Sequence, residues 1–111
     1  MVALDRLIET VEATLEDYAQ IRYPDGAVSR RTVFDRARGR FLLMLEGWEG
    51  ETRVHGCLID VQIKDGKLWI ERDGTETGVA LDFERLGVPR AQIVLAFYPP
   101  EHRLLTDYPA A

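Results

Sequence analysis

The sequence of 111 residues predicts an α+β domain: a mainly antiparallel sheet of about five strands, with a long N-terminal helix and short C-terminal helices. Three observations predict it. Residues 2–22 place apolar side chains at helical spacing. Residues 28–72 hold four strand-like runs separated by short polar, glycine-bearing turns. The strand signals come in a run flanked by helices rather than in strict alternation, which argues for α+β with a mainly antiparallel sheet.

The first helix is predicted from about Val2 to Arg22, with Leu4, Leu7, Ile8, Val11, Leu15 and Tyr18 on one face. Asp5, Glu9, Glu12 and Glu16 form an acidic stripe beside it. Like charges four apart weaken an isolated helix, so packing must hold this one. Tyr23-Pro24-Asp25-Gly26 ends it, because proline disfavours helical geometry before it and Asp-Gly favours a turn.

Val28–Asp35 reads as a strand of mixed polarity, and Arg36-Ala37-Arg38-Gly39 as a turn. Arg40–Glu46 contains Phe41, Leu42, Leu43, Met44 and Leu45 in succession. A strand apolar on both faces is expected to be central and covered on both sides. Gly47-Trp48-Glu49-Gly50 reads as the next turn and Arg53–Ile63 as the next strand. Asp65-Gly66 is a two-residue hairpin signal returning through Lys67–Arg72. A short helix is expected from Gly78 to Leu86, with Val79, Leu81, Phe83 and Leu86 apolar and Gly87 as its cap. Pro89 suits the first turn of another helical segment, Ile93–Phe97 reads as a buried strand, and Glu101–Leu105 reads as helical.

A chain of this length, 46% hydrophobic and 30% charged, is expected to form a single domain over residues 1–111. Its longest apolar run, Ile93 to Tyr98, is too short to cross a bilayer. No secretory signal pattern is read at the N-terminus, and one cysteine suggests a reducing, cytoplasmic compartment. These features exclude a disulfide scaffold, a cysteine-rich zinc module and a repeat array.

The net charge is −5, which is unusual for a general nucleic-acid binder. The charge is unevenly spread: Arg30, Arg31, Arg36, Arg38 and Arg40 cluster in the first hairpin. They read either as solvated hairpin charge or as a contact patch for phosphate or an acidic partner.

The Asp65-Gly66 register places Val61 opposite Ile70, Ile63 opposite Leu68 and Ile59 opposite Arg72. It assigns Cys57, Ile59, Val61, Ile63, Leu68 and Ile70 to the core side, and Leu58, Asp60, Gln62, Trp69, Glu71 and Asp73 to the other. Asp60 then faces Glu71, and opposed carboxylates need a reason. Exposure to water, a neighbouring arginine from this chain or a partner, or a divalent cation held with Asp73 would each supply one. Trp69 on that surface reads as part of an interaction surface, or as lying partly under the second helix.

Catalytic chemistry is sparse, and neither catalytic residues nor cofactors are predicted. His55 is expected on the core side as a structural histidine. His55 and Cys57 lie two apart on one strand with no orienting acid, which is poor geometry for a nucleophile and base. His102 is expected to be exposed. Asp73-Gly74-Thr75-Glu76 reads as the turn that starts the second helix.

Longer motifs carry a family resemblance. They are Leu15–Gly26 (LEDYAQIRYPDG), Gly47-Trp48-Glu49-Gly50, the Arg53–Ile59 run RVHGCLI, Asp65-Gly66-Lys67, and Trp69–Glu76 (WIERDGTE). Gly87-Val88-Pro89 and Ile93–Arg103 (IVLAFYPPEHR) complete the set. Over nearly its whole length the chain resembles the XisI-like proteins, the fdxN element excision controlling factors of cyanobacteria. The resemblance implies an accessory role in site-specific excision of a DNA element during differentiation of nitrogen-fixing cells. It also implies a XisH-like companion with a nuclease-like fold and a site-specific recombinase nearby, and it supplies no catalytic residues. Many relatives carry histidine where Tyr98 stands.

The function expected is therefore a non-enzymatic factor acting through the XisH-like companion, with a homodimer as a further partner. The alternatives are direct DNA contact through the arginine hairpin and metal-assisted hydrolysis by Asp60, Glu71 and Asp73.

Overall fold

In this computed structural model, residues 1–24 and 26–111 are described. The helix signal resolves into α1 (Leu4–Ala19), followed by β1 (Val28–Asp35), β2 (Arg40–Glu49), β3 (Thr52–Lys64) and β4 (Lys67–Asp73). Then come α2 (Val79–Arg85), a short 3-10 turn (Arg90–Gln92), β5 (Ile93–Leu95) and α3 (Pro100–Arg103). Asp25, in the turn predicted to end the first helix, lies outside the described residues. Among those described, no helix is long and apolar enough to cross a membrane.

The five strands lie in chain order. Neighbours from β1 to β4 are antiparallel, whereas β4 and β5 run parallel, so the sheet is mixed at that edge. Trp48 and Glu49 belong to β2 rather than to a turn, and the reversal comes at Gly50-Glu51. The Arg36–Gly39 turn forms as expected. Gly39 takes φ +67, its carbonyl accepts the Ile63 amide at 2.8 Å, and a Cβ there would sit 2.6 Å from the Ile63 carbonyl oxygen.

One face of the sheet, the inner face, is dry. Leu7, Val11 and Leu15 of α1 and Val79 and Phe83 of α2 pack on Phe41, Leu43, Ile59, Val61, Leu68 and Ile70, all fully buried. Leu4, Leu81 and Leu86, expected on apolar helix faces, are exposed, while Ala80 is buried. Thr10 and Thr14 are buried on α1 instead. Buried Gln92 ties the N-terminus to the β3–β4 turn: its Oε1 accepts the Val2 amide at 2.7 Å, and its Nε2 donates to the Val2 and Gly66 carbonyls.

Two bulges govern what reaches the other face. The β2–β3 register slips between Leu43 and Met44, leaving Leu58 as the extra residue, and the β3–β4 register slips between Asp60 and Val61, leaving Glu71 extra. One extra residue reverses the alternation of everything beyond it.

Candidate interaction surface

The outer face of the sheet lies opposite α1 and α2. Alternation along the observed registers assigns it Arg31 and Val33 from β1, and Arg40, Leu42, Met44, Glu46 and Trp48 from β2. β3 adds Arg53, His55, Cys57, Asp60, Gln62 and Lys64, and β4 adds Trp69 and Arg72. Leu42, Met44 and Cys57 form a half-buried apolar centre; Val33 and Trp48 are exposed at 48% and 49%. Among the described residues no helix lies over this centre.

The first bulge overturns two expectations. His55 and Cys57 point outward, because Leu58 takes the inner position and packs against the core. His55 is exposed and is not a hydrogen-bonded core histidine. The Cys57 thiol donates to the Ile59 carbonyl at 3.1 Å, and burial, with Asp60 adding, raises its pKa. The thiol form therefore dominates at neutral pH.

The second bulge corrects the carboxylate pair. Asp60 lies opposite Arg72, not Glu71, and Ile59 lies opposite Asp73. The neighbouring arginine comes from this chain: Arg40 donates Nε and Nη2 to the two Asp60 oxygens at 2.7 and 2.9 Å. Arg72 donates to the Cys57 carbonyl at 2.7 Å, which accommodates the irregular backbone. Asp73 turns to the helical side, where Oδ1 accepts the Thr75 amide and hydroxyl and Oδ2 accepts the Val79 amide at 2.8 Å. This forms the predicted start of α2. Asp60, Glu71 and Asp73 do not converge, and among the described residues no cluster of three or more His, Cys, Asp or Glu is placed to hold a metal.

Trp69 is flanked by cations rather than carboxylates, and it lies on the face away from α2. Lys64 sits 4.0 Å from its ring centroid and Arg103 5.9 Å away, while its indole N–H donates to the Lys64 carbonyl.

The arginine hairpin is largely committed to internal partners. Arg36 donates Nε and Nη2 to Glu12 at 2.8 and 2.6 Å. That contact, aided by the Arg36 charge, holds the Glu12 carboxyl below its ordinary pKa. Part of the acidic stripe on α1 is thus spent on the hairpin. Arg38 reaches Asp35, and Arg40 holds Asp60. Arg30 donates to the Tyr18 carbonyl and lies over the Tyr23 ring, on a groove of about 480 Å³ shared with Ile21, Leu58 and Thr75. Arg31 is exposed, with no hydrogen bond or ion pair among the described residues.

Sequence reasoning missed the contact linking Tyr18 to α2, in which its hydroxyl donates to Asp82. It also missed Tyr108, whose hydroxyl donates to Glu84 at 2.6 Å. Each partner is more than twenty residues away, and no local pattern announces it.

Comparison with known proteins agrees with this architecture. The XisI protein family profile matches residues 1–110. The crystal structure of a XisI-like protein from Anabaena variabilis ATCC 29413 is 35% identical, with a TM-score of 0.91, and the match covers 98% of this chain and 100% of that one. The crystal structure of the fdxN element excision controlling factor XisI from the same organism is 31% identical, with a TM-score of 0.82, covering 97% and 98%. No curated protein matches the chain.

Proposed function

The chain belongs to the XisI family, and from that premise we propose that it is an accessory factor controlling site-specific excision of a DNA element. We infer further that it works through contacts with other proteins and carries out no bond chemistry itself. Its partner in this reading is a XisH-like companion, acting with a recombinase on cytoplasmic DNA. The second Anabaena relative, described as an fdxN element excision controlling factor, supports the excision role.

One observation carries the contact reading: a preformed face of four strands, apolar at its centre and charged around it, whose centre no helix covers among the described residues. The hairpin arginines support protein contact over phosphate contact. A guanidinium held by two hydrogen bonds to a carboxylate has its charge offset and only its remaining donors to offer a phosphate, and both Arg36 and Arg40 are so held. Electrostatic DNA binding also works against a net charge of −5.

Co-expression with a XisH-like companion tests the proposal. A complex that survives purification at physiological salt is expected. Failure to associate, together with salt-sensitive DNA binding by the chain alone, would replace it with the direct-contact reading.

A further inference from the structure

We propose that the outer face of the sheet is the contact between two copies of this chain, packed sheet to sheet as a twofold homodimer. The proposal rests on the reading of that face as a contact surface and names its occupant.

The strongest sign is in β2. Five consecutive apolar residues, Phe41 to Leu45, form the pattern of a strand that is dry on both faces. The chain covers the inner side, burying Phe41 and Leu43 completely. Leu42 and Met44, on the outer side, remain half-buried, with no helix above them among the described residues. The sequence is written for two covering layers and the single chain supplies one.

Size points the same way. A monomer of 12.7 kDa is expected to expose about 6,200 Å², and this chain exposes 6810 Å². Its radius of gyration is 14.6 Å, against about 13 Å for a compact chain of this length. Four strands about 4.8 Å apart, with about eight residues rising about 3.3 Å each, give a face of about 500 Å² in projection. Side-chain relief brings its accessible area to the order of the 800 Å² that each partner buries in a standard interface.

Charge selects a second copy as the occupant. On the outer face Arg31, Arg40, Arg53, Lys64 and Arg72 are interspersed with Asp35, Glu46 and Asp60, with the bulged Glu71 close enough for Arg40 to feel its charge, so the net charge of −5 resides elsewhere. Two copies repel each other through their acidic helical sides and can meet through this mixed face. A basic partner would be drawn to the helical side instead.

Topology makes the face self-complementary. A twofold axis along the strands, above the β2–β3 boundary, lays β1 of each copy over β4 of the other. Leu42, Met44 and Cys57 then meet their counterparts across the axis. Val33 then falls over the Glu71–Arg72 segment of the other copy, and Arg31, whose side chain has no hydrogen bond or ion pair among the described residues, lies two residues along β1 from it, on the side of Glu71, whose charge is felt by Arg40. The product is an aligned sandwich of two sheets.

Sedimentation equilibrium of the purified full chain, from about 1 to about 100 µM, tests this at micromolar-range affinity. Wild type is expected to move from 12.7 kDa to twice that mass. Met44→Lys and Val33→Lys should each weaken the dimer at least about tenfold while keeping the circular dichroism spectrum; Val33 is half exposed, so the second variant guards against simple misfolding. Arg31→Glu should weaken it and Glu71→Arg in the same chain should restore it. A species of 12.7 kDa at every concentration would overturn the proposal, as would a dimer indifferent to all of these variants. If the chain alone stays monomeric but binds a companion through Val33 and Met44, the homodimer is refuted and the accessory role stands.

Discussion

The two faces of one sheet are built by different rules. On the inner face, alternate residues of β2 to β4 are fully buried against α1 and α2, and buried Gln92 has specific partners. On the outer face the centre is apolar but half wet, with charges around it that include the Arg40–Asp60 pair. Burial of large side chains supplies folding free energy, whereas exposed ion pairs add little. The difference teaches that stability and recognition are separated here by the thickness of a single sheet. It follows that the faces can be damaged independently.

The largest effect is expected on the inner side. Phe41→Ala should cost about 3–5 kcal/mol in urea unfolding, because it removes a fully buried ring and leaves a cavity. A cost near that of an outer-face change would erase the distinction between the faces.

Gly39→Ala comes next, at about 1–3 kcal/mol, since it combines a positive φ with a Cβ driven onto the Ile63 carbonyl. The same unfolding assay reads it, and Arg38→Ala beside it serves as the control.

Tyr108→Phe, at about 1–2 kcal/mol, removes a hydrogen bond to a charged group and also changes the pH profile. Burial, then the Glu84 contact, pushes the Tyr108 hydroxyl up to about 12. A raised folded pKa means full stabilisation below the ordinary value of 10.0, lost as pH rises towards 12. Glu84 is shifted the opposite way, held low first by Tyr108 and then by Arg90. Its contribution is complete above 4.5 and fades as pH falls through the lower folded value. The variant should lose the alkaline arm and blunt the acid one; an unchanged alkaline profile would contradict the assignment.

The smallest effects belong to the hairpin surface. Arg36→Gln should move the unfolding midpoint least of all, and added salt should abolish what difference there is.

The sequence pattern makes the inner face legible and leaves half of the outer one hidden. Helical spacing finds Leu7, Val11 and Leu15, and the Asp65-Gly66 turn sets the pairs from Lys64–Lys67 to Val61–Ile70 correctly. Register counted from that turn then fails at Asp60, because a bulge consumes Glu71 without any glycine or proline to mark it. The other bulge, at Leu58, sends His55 and Cys57 to the outer face, and its one local mark is Gly56 inside the strand. The hairpin arginines are visible in sequence, but their partners Glu12 and Asp60 are set by tertiary packing. The doubly apolar β2 is an interior strand as read, but the cover expected on both sides is found on one, since Phe41 and Leu43 are buried and Leu42 and Met44 are only half-buried.

The most direct test is to follow excision of the DNA element in cells carrying Val33→Lys or Met44→Lys while measuring the unfolding midpoint of the same purified variants. The account predicts a nearly unchanged fold and lost excision. Full excision with the outer face so altered would contradict it.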